Sequence, residues 1–166
     1  PETEGPWPAR KAAAQRAYRE WMPVSDEDWA SYEVGDLATL FRLETRLSAR
    51  AEPFNVGKML AEKTAPGEVE TALATFREGA WRDPSRGLIG PDQQAWLAAG
   101  MRASRRGGKV WQVLVQQVLM GTVRTPLDVA DWAGNDLPDY VRARIASGAA
   151  ASRAGLPMNM DAWDGY

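Results

Sequence analysis

The sequence predicts an α/β fold, with two strands side by side in a parallel sheet and a helix bridging them. Three observations carry this. Residues 110–120 are an apolar run in which Trp111, Val113, Val115 and Leu119 share one face of a strand, and Val110, Leu114, Val118 and Met120 share the other. A strand apolar on both faces is normally covered by helices on both sides, as in a parallel sheet. Residues 37–45 alternate, with Leu37, Thr39, Phe41 and Leu43 set against Ala38, Leu40, Arg42 and Glu44, which gives a second strand with one apolar face. Between them, over 91–104, Gln93, Trp96, Leu97, Gly100, Met101 and Ser104 recur at helical spacing. Strand, helix, strand is the right-handed crossover unit of a parallel sheet.

Each element has its own local signals. Residues 9–22 are strong helix formers, with Ala13, Ala17 and Trp21 on one face and Pro23 as the stop. Ser25 is placed to cap a short turn over 26–28, with Trp29 packing behind it. A strand to Val34, a Gly35-Asp36 turn and the strand over 37–45 make a β-hairpin. Residues 46–89 form a long irregular excursion, interrupted by Pro53, Pro66 and Pro84, with helical pieces over 56–63 and 68–78. A connection of that length is either a lid-like insertion at a site or a variable surface insertion. Pro91 suits the first position of the next helix and Asp92 its positive end. Arg102, Arg105 and Arg106 suit its negative end, and Gly107-Gly108 supplies the left-handed stop. After an irregular stretch over 122–131, residues 137–151 read as a helix with Val141 and Ile145 inward, closed by Gly155 and Pro157.

The 166 residues fit one domain, and 45% hydrophobic with 25% charged residues is a globular composition. A net charge of -2 gives no reason to expect nucleic acid or an anionic membrane as partner, and no run reaches transmembrane length. The chain has no His and no Cys. That excludes disulfides, imidazole and thiolate metal sites, a Cys nucleophile and a histidine-based triad. Catalysis by these residues alone would fall to carboxylates, Tyr, Lys or Arg. Eight Trp point to a packed core or an aromatic-walled cleft.

Ligands of open α/β sheets bind beyond the carboxyl ends of the strands. Arg46 follows the first strand and Gln116 and Gln117 end the second, so Arg46 is a candidate phosphate or carboxylate contact with a Gln orienting its neighbour. The alternative is a Glu44–Arg46 pair, or amides that satisfy loop backbone. Asp161 and Asp164 beside Asn159 form an acidic cluster that is either a hard-cation site or a set of turn and cap residues. Arg102, Arg105 and Arg106 read as a solvated helix end, and Trp7, Trp21 and Trp29 as packing anchors.

Several segments resemble one family, the alkaline phosphatase D (PhoD-type) metallophosphoesterases. The opening P-E-T-E-G-P-W-P-A-R-K and its helix ending E-W-M-P resemble the segment after that family's Asp-Asp-His-Glu motif. D-L-A-T-L-F-R-L-E-T-R resembles the strand ending in Asp/Glu-Thr-Arg, and L-I-G-P-D-Q-Q-A-W-L the helix L-G-x-x-Q-x-x-W-L. K-V-W-Q-V-L-V-Q-Q-V resembles the strand W-x-V-x-x-N-Q-V, and L-P-M-N-M-D-A-W-D-G-Y the segment N-x-D-x-W-D-G-Y. Gln117 keeps its match, whereas Val115-Gln116 stands where the family has Gly-Asn.

The resemblance implies part of a calcineurin-like αββα sandwich. It also implies a phosphomonoesterase or phosphodiesterase that hydrolyses phosphate esters with metal-activated water. The family's metal ligands lie in motifs before Pro1 and after Tyr166, so the chain is expected to be an internal section, 1–166, that holds no metal and is inactive alone. Iron and calcium are implied for the complete enzyme, as are a location outside the cytoplasm, a phosphate-ester substrate and flanking segments of the same protein as partners. Nucleic acid and membrane are not expected partners. Apart from this resemblance, a stand-alone α/β or helical interaction domain without catalysis also accounts for the composition.

Overall fold

The computed structural model describes residues 4–63, 65–134 and 136–166. In chain order the elements are α1 (Trp7–Trp21), β1 (Ala30–Val34), β2 (Ala38–Arg42), α2 (Val56–Leu60), α3 (Pro66–Glu78), α4 (Pro91–Arg106), β3 (Trp111–Val115), α5 (Val129–Trp132) and α6 (Asp139–Arg153), with short 3-10 turns at Ala80–Arg82 and Trp163–Gly165. The fold is mixed α/β. Two compact units share the chain, one from residues up to 44 with 95–115 and the other from 45–94 with 116–166.

The first unit is built on a three-stranded sheet in the order β1-β2-β3. β1 and β2 pair antiparallel from Ala30↔Arg42 to Val34↔Ala38, with Gly35 at φ +49° in the connection. β2 and β3 pair parallel from Ala38↔Trp111 to Arg42↔Val115, as the crossover pattern requires. α4 covers one face of this sheet. The Trp96 ring stands edge-on to Phe41 at 5.8 Å, and a Cβ on Gly100 would lie 2.7 Å from the Phe41 ring. Ser104 Oγ lies 2.7 Å from Thr39 Oγ1. Positions 96, 100 and 104 are thus one face of a helix set over Phe41 and Thr39. The helix stops as expected, with Gly108 at φ +81° and the Lys109 N–H bonded back to Ser104 O at 3.1 Å.

Four expectations need correction here. β3 ends at Val115, not at residue 120, because the Gln116 side chain bonds both backbone polar groups of Val118 and turns the chain out of the ladder. Its second face is open among the described residues: Trp111 is 60% exposed and Val115 46%. α1 buries no residue, and Trp21 at 83% exposure is no packing anchor; nor is Trp7 at 62%. The helix is held by its Ala-rich propensity and a Pro in its first turn. Trp29 does pack, 6.4 Å from Trp96. Ser25 does not cap a turn; its hydroxyl accepts a hydrogen bond from Arg42 Nη2 at 2.8 Å.

The second unit has a core of Leu60, Leu73, Phe76, Ala151, Leu156 and Met160, with Phe54 edge-on to Phe76 at 4.8 Å. The 46–89 excursion therefore carries α2 and α3 and supplies half of this core. α6 meets it with small residues at its C-terminal end, and Gly155 at φ +78° lets the Leu156 N–H return to Ala151 O at 2.9 Å. Among the described residues there is one sheet, so the two-sheet sandwich is not seen, and no helix is long and apolar enough to cross a membrane.

Candidate functional site

The loops that leave β2 and β3 meet where the buried Thr45 bonds the exposed Gln117. Thr45, fully buried, donates its hydroxyl to Gln117 Oε1 at 2.7 Å, so the amide of Gln117 fixes the start of the loop that carries Arg46. Gln116 serves its own backbone: its amide nitrogen donates to Val118 O and its oxygen accepts from Val118 N–H at 2.6 Å. Of the two amides, Gln117 is the one that ties the two loops together.

Arg46 and Arg50 converge on one carboxylate. Arg46 Nη1 lies 3.0 Å from Asp161 Oδ2, and Arg50 Nη2 pairs with the other oxygen of Asp161. Arg50 Nε donates to the Tyr166 hydroxyl at 2.7 Å. The side chains of Arg46 and Asp161 are 40% and 38% exposed, whereas that of Arg50 is only 12% exposed. Arg50 is thus the more buried member of the group, and Arg46 the more exposed of the two arginines. A planar fork held in this way is suited to a phosphate or carboxylate.

The tail that supplies Asp161 is a tight turn. Asn159 Oδ1 accepts from the Asp161 N–H at 3.0 Å, so Asn159 acts as a turn residue. A Cβ on Gly165 would lie 2.2 Å from Met160 O, so only glycine fits there. Trp81 Nε1 donates to Asp164 O at 3.1 Å. Both carboxylate oxygens of Asp164 are buried and make no hydrogen bond among the described residues. Nearby, the Ser85 hydroxyl and N–H both donate to Asp83 and hold its carboxyl below the usual aspartate value.

The Glu-Thr-Arg strand end, the Gln-Gln strand end and the N-x-D-x-W-D-G-Y tail thus converge on Thr45–Gln117 and Arg46–Asp161. The sequence model of PhoD-like phosphatases matches residues 1–166, the whole chain. The chain belongs to the PhoD-like phosphatase family. No curated protein and no solved structure matches it. Membership makes the parent protein a hydrolase of the phosphatase type.

The iron and calcium centre that the sequence resemblance implies would need several His, Cys, Asp or Glu ligands around one point. Among the described residues no three such side chains gather, and the sequence contains no His or Cys. The orphaned carboxylate of Asp164 is a single ligand at most. These residues do not fit a two-metal centre. What the PhoD-like chain does present is an arginine fork and a shaped loop. Sequence reasoning singled out Arg46, Gln117 and Asp161 but missed Arg50 and Tyr166, whose partners lie more than a hundred residues away. Arg102, Arg105 and Arg106 lie exposed at or near the C-terminal end of α4.

Proposed function

We propose that this chain is the metal-free, substrate-facing section of a PhoD-type phosphoric ester hydrolase, and that Arg46 contacts the phosphate of the ester. The observation that carries this is the Arg46–Asp161 pair at 3.0 Å, which joins two family motifs 115 positions apart and leaves the guanidinium partly exposed. A cation held there orients a phosphate oxygen and offsets the charge that develops as the ester bond breaks. Asp161 holds the fork in place, Arg50, itself bonded to the Tyr166 hydroxyl, holds Asp161, and Gln117 holds the loop through Thr45.

In this reading the metals, iron and calcium, and the residues that ligate them belong to other segments of the same protein. The chain alone is then inactive toward phosphomonoesters and phosphodiesters, and the complete enzyme works outside the cytoplasm. Metal-dependent turnover of p-nitrophenyl phosphate by residues 1–166 alone would contradict it. The test of the site itself is removal of the Arg46 guanidinium in the complete enzyme, with kcat/KM and inhibition by inorganic phosphate read beside the melting temperature. A second reading, a non-catalytic interaction domain, draws on the exposed aromatic surfaces of Trp21 and Trp111. In the phosphatase reading other segments of the enzyme cover those surfaces.

A further inference from the structure

Beside Tyr166 lies a cleft of about 400 Å³, lined by Trp81, Arg82, Asp83, Pro84, Arg86 and Tyr166. That volume suits one small-molecule group. Two of its lining residues are aromatic and held by hydrogen bonds. The Trp81 indole is held by its bond to Asp164 O at 3.1 Å, and the Tyr166 hydroxyl by its bond from Arg50 at 2.7 Å. The Arg86 guanidinium lies 3.7 Å from the centre of the Phe54 ring and 5.5 Å from that of Tyr166. Rigid planar surfaces of this kind favour a planar partner, because stacking orders few rotatable bonds.

The charges narrow the class. Arg82 brings N–H donors and Arg86, whose Nη2 is already bonded to Glu52 O at 2.9 Å, adds positive charge, while Asp83, which accepts two bonds from Ser85, brings acceptors. Glu78 lies 2.7 Å from Arg82 and balances it. A lining with nearly cancelling charges gives an additional anionic group little advantage. An uncharged heteroaromatic ring with donors and acceptors along its edges matches it at both face and edge.

We propose that this cleft is a subsite for a nucleobase, and that the phosphate ester taken by the enzyme is a nucleoside phosphate. Tyr166, which lines the cleft, connects through Arg50 and Asp161 to Arg46, so one bonded set of side chains serves both the cleft and the arginine fork. The substrate class rests on the reading of Arg46 as a phosphate contact, whereas binding of the base does not.

The experiment therefore has two arms on the complete enzyme. Calorimetric titration with adenosine should show binding where ribose shows none. Tyr166→Leu should weaken adenosine about tenfold, and Tyr166→Phe, which keeps the ring, should leave it within about twofold. In turnover, kcat/KM for adenosine 5′-monophosphate should exceed that for ribose 5-phosphate by about tenfold, and Tyr166→Leu should bring the ratio toward one. Equal binding of adenosine and ribose, or equal losses in the Leu and Phe variants, overturns the subsite. Adenosine binding without turnover of either ester supports the subsite and overturns the hydrolase reading.

Discussion

Gly165 sits in the turn that presents Asp161, and replacing it with alanine tests whether that turn is packed as described. Its backbone lies outside the left-handed region, so alanine meets no conformational penalty there. The cost is collision alone. The new Cβ would lie 2.2 Å from Met160 O, 2.7 Å from its carbonyl carbon and 2.9 Å from its Cα, and all three are backbone atoms that cannot rotate away. Restoring ordinary contact near 3.4 Å moves the chain by about an ångström at the residue before Asp161. Overpacking of that kind costs about 1–3 kcal/mol, against a gain of about 0.4–1 kcal/mol from the less flexible unfolded chain. The net expectation is a loss of about 1–2 kcal/mol, or a drop of several degrees in Tm.

Gly67 supplies the control. It lies in the first turn of α3, a Cβ there meets nothing within 4 Å, and its φ is not positive. Gly67→Ala should therefore stabilise by about 0.4–1 kcal/mol. Urea unfolding of both variants measures the contrast as midpoints at unchanged m. If Gly165→Ala matches Gly67→Ala in sign, the packing of the Asp161 turn is not as described.

Two further predictions concern the same unit. Thr45→Val removes the buried hydroxyl that donates to Gln117 Oε1, and because Gln117 is exposed its oxygen can turn to water, so the loss should be about 0.5–1.5 kcal/mol, whereas Thr45→Ser should restore most of it; a neutral Val variant in thermal melts contradicts the Thr45–Gln117 bond. Asp83 has its carboxyl lowered first by the Ser85 hydroxyl, then by the Ser85 N–H, so its contribution to stability is complete above the ordinary aspartate value near pH 4 and is lost as pH falls through the lower folded value. Ser85→Ala should then lose less stability on acidification than the wild type, and an unchanged acid limb in the melting curve would refute that link.

Much of the first unit was legible because its signals are local. The Trp96, Gly100 and Ser104 stripe, the Gly107-Gly108 stop and the hairpin at Gly35 each lie within a few residues of their consequence. Spacing names the face that a helix or strand can bury but not whether anything covers it. That is why Trp21 and Trp111 were expected inside and stand exposed. The end of β3 was misjudged because the decisive contact is polar: Gln116 folding onto Val118 outweighs the apolar run that follows. In the site, its place beyond a strand end picked out Arg46, and residue chemistry picked out Asp161. Their meeting across 115 positions, and the roles of Arg50 and Tyr166 behind them, depend on the fold and leave no trace in local pattern.

The role of Arg46 is tested most directly by Arg46→Ala in the complete enzyme. Its pair with Asp161 is about two-fifths exposed on both sides, so the folded state should lose no more than about 1 kcal/mol. A lost charge-assisted contact to phosphate should lower kcat/KM by about 10–100-fold and weaken inhibition by inorganic phosphate. A melting temperature that falls steeply while kcat/KM per folded molecule stays at the wild-type value would contradict the account.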